Sequence, residues 1–436
     1  MAIDRQITSA PQNHLLTNTA VWSADGQWII YDVRSDADGS TFDGNRIERI
    51  HTRTGEVQLL YQSQNGAKCG VATCHPLTEE VVFIQGPENP TPEWSYAACR
   101  RRGVIVDAVQ PGVIKPLDAR DLTPPFTPGA LRGGTHLHVF SGDGQWVSFT
   151  YEDQILASLP SMAVDHDLNQ RNIGVSVPCG RVCVPRSHPR NQDGDYFSVL
   201  VSRTVNTPTP GSDEISRASE ESWVGRDGYS KPDGTRQHRA IAFQGQLIDA
   251  NGERISEVFI VDIPDDVTIP GDGPLQGTDT RRPLPPSGTM QRRLTFTAGR
   301  KYPGLQGPRH WLRSSPDGTR IAFLLKDDDG VVQLWTVSTN GGIAHQLTRN
   351  RWSIASAFTW SPEGRFIAYV MDHSVFATEI ATGESIRLTG RSTDSESPRP
   401  EACVFSPDGL KIAYLRNLGL GKNRFNQIFV TRMEIR

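Results

Sequence analysis

The residues best placed to do chemistry in this chain share one spacing from a repeated turn of the form Ser-x-Asp/Glu-Gly. Five residues before Ser141 stands His136, and the same offset from Ser315, Ser406, Ser361 and Ser23 reaches His310, Glu401, Ser356 and Asn18. Every one is polar. Three residues before the same serines stand His138, Leu312, Cys403, Phe358 and Ala20, a mostly small or apolar set. Side chains alternate faces along a strand, so His136 and His138 are expected on one face. A His-x-His pair with a third histidine and a glutamate suits a borderline divalent metal such as Mn, Zn or Ni. A polar, hydrated channel lining would use the same residues without a metal.

The segments leading into these positions are cationic. GALRGGTHLH carries Arg132, and RKYPGLQGPRHWLR carries Arg300, Lys301, Tyr302, Arg309 and Arg313. Arginine holds carboxylates through two parallel hydrogen bonds, so Arg132, Arg309, Arg313, Lys301 and Tyr302 are the expected contacts for an acidic ligand. Arg100–Arg102 reads as the solvated face of a hairpin. His75 and His188 read as turn residues, while His166 and His238 fall off the strands that carry the polar layer.

What must position this layer is a repeat. WSADGQWIIY from Trp22, FSGDGQWVSF from Phe140, SSPDGTRIAF from Ser314, WSPEGRFIAY from Trp360 and FSPDGLKIAY from Phe405 align, and the last three turns are 46 and 45 residues apart. A period of 40–50 residues built from short β segments is the mark of propeller blades, each of four strands. Pro and Gly suit the turn, and the apolar run after it, such as IAFLLK, suits a strand buried on both faces. Fourth strands are read at 5–10, 57–62, 114–119, 181–186, 292–297, 345–350 and 386–391. Seven blades follow, in a single domain spanning 1–436. The N-terminal strand is expected to complete the last blade, because otherwise two edges stay unpaired. The stretch 187–291 is read as one blade with first strand 195–204, second strand 239–247 and a polar insertion at 204–236. An eighth blade using the SKPDG turn is the alternative.

The FSPDG-x-x-IAY…QIFVTR repeat resembles that of TolB-type propellers. In detail the chain is similar to an uncharacterised family of cytoplasmic TolB-like proteins, with YEDQILASLP and RKYPGLQGPRHWLRSSPDG in the unrepeated stretches. Among propellers with this repeat, oligogalacturonate lyases also carry histidines just ahead of SPDG. That resemblance implies a divalent metal held by channel histidines, including a His-x-His pair, and an acidic oligosaccharide as substrate. The lyases have a Gln three residues before the pair, where this chain has Gly133.

Composition narrows the alternatives. Hydrophobic residues make up 36% and charged residues 22%, enough for a packed core. Forty-five Lys and Arg against 49 Asp and Glu give a net charge of -4, which offers no basic surface for nucleic acid or an anionic membrane. MAIDRQITSAPQNHLL has no apolar core of a signal peptide, and the six cysteines form no CxxC pair, so a cytoplasmic location is expected. The nucleophile elbow, P-loop, HExxH and dinucleotide fingerprints do not occur. Three functions remain: a metal-assisted lyase for an acidic saccharide, a sensor of a small acidic saccharide or metabolite, and a scaffold for a protein partner.

Overall fold

A computed structural model describes residues 4–160 and 166–433. Seven antiparallel sheets of four strands are arranged as the blades of a propeller. Blade 1 uses Asn13–Leu15, Trp28–Arg34, Arg46–His51 and Val57–Gln62, and blade 2 uses Cys69–Cys74, Glu80–Gln85, Arg102–Asp107 and Ile114–Pro116. Blade 3 is Gly133–Phe140, Val147–Asp153, Asn172–Val177 and Phe197–Leu200, followed in blade 4 by Arg217–Trp223, Ala240–Ile248, Arg254–Asp262 and Met290–Arg293. The innermost strands of blades 5, 6 and 7 are Arg313–Ser314, Thr359–Trp360 and Pro398–Phe405.

The repeated turn explains the regularity. In the four turns with Asp its carboxylate accepts from the serine hydroxyl two residues back and from the backbone N–H two residues on, as Asp317 does from Ser315 at 2.5 Å and from Thr319 at 3.0 Å. The serine hydroxyl also accepts the backbone N–H that starts the next strand. The glycine of the turn is left-handed, at φ 75° in Gly318 and 72° in Gly409. The following strand sits between two neighbouring blades. Ile321 and Phe323 pack with Ala242, Val258 and Ile260 of blade 4, whereas Ala322 and Leu324 pack with Phe358, Ile367 and Tyr369 of blade 6. Period-two alternation thus distributes one apolar run between two interfaces.

The ring closes as expected. Arg5 pairs with Val430 and Gln6 with Phe429, next to the Lys411–Leu420 and Pro398–Phe405 strands of blade 7. Beyond the strand, Ile7 N–H donates to Ile428 O at 2.8 Å, and Ile428 N–H donates to the Thr8 hydroxyl at 2.8 Å.

The strand assignments in 181–236 need correction, whereas the second strand expected at 239–247 is found at Ala240–Ile248. Blade 3 takes Phe197–Leu200 as its fourth strand, and 181–186 belongs to a long loop tied to the blade 2–3 link by Arg120–Gln192 and Asp118–Tyr196 bridges. The first strand of blade 4 is therefore not at 195–204. It is Arg217–Trp223, inside the stretch read as an insertion at 204–236. The sequence RASEESW looked like loop because an innermost strand faces a polar channel and lacks an apolar stripe. SKPDG caps a small hairpin, Tyr229–Ser230 with Arg236–Gln237, and the blades number seven.

Candidate functional site at the channel mouth

The inner strands of blades 2, 3 and 4 share a departure from regular geometry. Register slips between Gly70 and Thr73, between His136 and Val139, and between Ser219 and Ser222. Each slip contains a non-glycine residue in the left-handed region: Val71 at φ 59°, Leu137 at 51° and Glu220 at 54°. This is a β-bulge, which inserts one residue and re-aims the next. In blade 3 its effect is decisive. His136 opposes Thr150 and Val139 opposes Ser148, so Val139 takes the face that His138 would have held.

The two histidines consequently part. His136 is half-buried and lines a cavity of about 500 Å³ with Leu137, and its ring makes no hydrogen bond to a described residue. Burial, then the positive charges of Arg101, Arg309 and Arg171, hold its pKa well below the ordinary histidine value. It is a neutral imidazole at neutral pH. His138 is 0% exposed and points into the packing between blades 2 and 3, where a Cβ on Gly103 would lie 2.7 Å from its Nε2. Neither of its ring nitrogens has a hydrogen-bond partner among the described residues, and burial pushes its pKa down to about 3.

His310 also leaves the expected cluster. Its Nδ1 donates to Pro308 O at 2.9 Å and its Nε2 accepts the Leu324 N–H at 3.2 Å, so both nitrogens are committed to backbone. Burial lowers its pKa to about 4. Of the four residues expected to hold a metal, His136 and Glu401 reach the cavity, and Glu401 is engaged by Arg399 at 2.7 Å. No group of three or more potential ligands forms among the described residues. The donor set for a divalent metal is not assembled, and no chemical step is assigned to one.

The cationic residues divide in the same way. Arg132 is 1% exposed, bound to Asp153 at 2.8 Å and to the carbonyls of Thr278 and Arg281, so it staples blade 3 to a loop of blade 4 and is not a ligand contact. Arg313 is buried too. Its guanidinium crosses from blade 5 to donate to Asn18 of blade 1, and burial pushes its pKa down to about 10. Lys301 donates to Asp328 O at 3.0 Å and lies over the Tyr302 ring, at the 327–330 turn and outside the cavity lining. Of the five expected ligand contacts, Arg309 is the one at the cavity. It lines the cavity, is largely exposed, lies over the Trp311 indole at 4.6 Å and pairs with Glu220 at 3.2 Å.

Several lining residues were missed. Trp311 supplies an aromatic wall next to Arg309, and Asp32 and Arg34, paired at 2.7 Å, form the opposite side from the end of the second strand of blade 1. The polar break in WIIYDVR was the available signal for the last two. Outside the lining, Glu221 is buried with Thr150 Oγ1 donating to it at 2.9 Å, and burial pushes its pKa up to about 7. His75 and His188 accept backbone N–H groups in turns, as expected. Arg100–Arg102 is not a solvated face, for Arg101 is buried and its neighbours are half-buried.

The fold and its turn repeat define a TolB-like seven-bladed β-propeller with a cavity at one mouth of its channel. More narrowly, the chain belongs to the family of the uncharacterized protein YidR of Escherichia coli (strain K12), with which it is 48% identical over 415 residues, covering 94% of each chain. A family model described as a protein of unknown function, DUF3748, matches residues 68–192, and the dipeptidyl peptidase IV N-terminal region matches 331–418. Among solved structures, an oligogalacturonate lyase in complex with manganese superposes with a TM-score of 0.54 at 9% identity, covering 100% of this chain and 96% of that one. A puromycin hydrolase S511A mutant complexed with PGG gives 0.53 at 13% identity, covering 93% of this chain and 50% of that one. These likenesses establish the propeller fold. No helix among the described residues is long and apolar enough to cross a membrane.

Proposed function

We propose that the channel-mouth cavity binds a small acidic saccharide and that His136 is positioned to accept a proton from it. The carrying observation is the placement of an unpartnered, neutral imidazole in one cavity with an aromatic wall and an exposed guanidinium. A cavity of about 500 Å³ falls within the usual range for small-molecule sites. Trp311 offers a face for a sugar ring, and Arg309 offers two parallel donors for its carboxylate.

A β-elimination fits these groups. His136 takes the proton from the carbon next to the carboxylate, the electron pair forms the new C=C bond, and the C–O bond to the neighbouring sugar at the adjacent carbon breaks, its oxygen leaving with the electron pair and taking up a proton from water. Arg309 stabilises the charge that gathers on the carboxylate, the part that a metal plays elsewhere. The experiment is calorimetric titration with digalacturonate, followed by ultraviolet detection of the unsaturated product. Arg309→Ala and Trp311→Ala should each weaken binding at least tenfold, and His136→Ala should stop turnover while retaining binding. Absence of saturable binding overturns the reading. Binding without product keeps the site and makes the protein a sensor.

A further inference from the structure

A second pocket, of about 240 Å³, shares no lining residue with the channel-mouth cavity. One wall comes from the 86–102 segment between the second and third strands of blade 2, and the other from 189–192 in the long loop of blade 3. Four arginines line it, Arg100, Arg102, Arg120 and Arg190, against one lining carboxylate, Glu88. Trp94 stands between two of them, with the Arg100 guanidinium 4.7 Å and the Arg190 guanidinium 5.7 Å from its ring.

Two buried donors are left over in this setting. The indole Nε1 of Trp94 and the amide Nε2 of Gln192 are shielded from solvent and have no acceptor among the described residues. The orientation of the Gln192 amide is fixed, because its Oε1 accepts from Arg102 Nη1 at 2.6 Å, which leaves the NH2 group without a protein acceptor. Glu88 compensates little, since its Oε1 lies 3.6 Å from Arg102 Nη2. Burial lowers the pKa of Arg102, and that of Arg120 to about 10; the buried Asp118 carboxylate opposes the shift in both, and the Arg102 charge adds to it in Arg120. Crowded cations and unpaired donors away from water are costly unless an acceptor-rich anion completes them.

We propose that this pocket binds the oxyanion group, phosphate or carboxylate, of a small molecule. Trp94 Nε1–H and the Gln192 amide donate to it, and the guanidinium charges of Arg100 and Arg102 balance it. Both walls lie inside 68–192, the stretch that the DUF3748 model matches. The site is independent of the saccharide reading and stands if that reading fails.

The test titrates the full chain with inorganic phosphate and separately with citrate, at matched ionic strength, by calorimetry and thermal shift. Saturable binding and a rise in melting temperature are expected for at least one, and which one identifies the oxyanion. Gln192→Glu should weaken that binding at least tenfold while keeping the chain folded, because its carboxylate supplies the missing partner for Arg102. Trp94→Phe keeps the ring between the arginines, removes one donor and should weaken binding several-fold. The proposal is overturned if neither anion binds saturably, or if Gln192→Glu and Trp94→Phe both bind like the parent protein.

Discussion

Blades 5 and 6 and blades 2 to 4 follow one plan but spend their inner strands differently. In blades 5 and 6 the innermost strand is a two-residue pairing, Arg313–Ser314 or Thr359–Trp360, delivered directly by the repeated turn. In blades 2 to 4 it runs six to eight residues and carries a bulge at Val71, Leu137 or Glu220. Second strands are alike in both sets because two blade interfaces constrain them. Inner strands have the channel on one side, where no packing partner fixes register. The bulges of blades 2 and 3 bring Val71, His136 and Leu137 to a cavity whose other walls come from blades 1, 5 and 7.

Removing the closing strand tests whether that division is only local, and it should have the largest effect. Deleting residues 1–10 removes the Arg5–Gln6 pairing and the contacts of Ile7, Thr8 and Ala10 with 427–430. At about 1 kcal/mol per hydrogen bond, a loss of about 5 kcal/mol is expected in urea unfolding. Both sets of blades should melt together at the lower midpoint. A surviving separate transition for the regular blades would break the picture of one cooperative ring.

A cut confined to the irregular blades should cost somewhat less. Asp153→Ala leaves the Arg132 guanidinium buried without its carboxylate, and breaking a buried pair from one side typically costs about 3–5 kcal/mol. Equilibrium denaturation measures this, and a cost near zero would show that the loop carbonyls of Thr278 and Arg281 suffice.

The smallest effect at neutral pH separates the two neighbouring histidines. His138 has its pKa lowered from 6.5 to about 3, so below pH 6.5 the unfolded chain takes up a proton that the folded chain refuses. Stability contributed by the neutral ring is therefore lost as pH falls from 6.5 towards 3. His138→Leu should change stability by about 1 kcal/mol or less at pH 7 and raise it by about 3 kcal/mol at pH 4. Denaturation midpoints at the two pH values check this, and equal changes at both would contradict the burial of His138.

Much of the ring was legible because turn chemistry and packing are local. Ser, Asp and Gly at fixed offsets specify the turn wherever it occurs, and a strand buried on both faces must be apolar throughout. The polar layer was legible in part for the same reason, since equal offsets put His136, Glu401 and Asn18 around one cavity. Its failures have one origin. Leu137 and Val71 adopt the left-handed conformation although neither residue type advertises it, so counting by two misplaced His138. His310 was assigned by its offset from the turn and Arg132 by residue type, and only three-dimensional contacts reveal that backbone groups and Asp153 already occupy them. Arg217–Trp223 escaped because its polarity serves the channel.

The pairing of Arg5–Gln6 with Asn423–Arg432 orders events in time. During synthesis the segment that finishes the ring is made before blade 1, and its partner only after blade 6. Blades 1 to 6 are assembled from contacts close in sequence and can form one after another as they emerge. The early segment must wait, unpaired, for about 420 residues, although loop-closure entropy grows only slowly with length. Delay rather than free energy is the burden, because a nascent chain keeps a free sheet edge open to other chains throughout its translation. Slow translation or a stall after residue 400 would prolong the period of greatest exposure to misassociation.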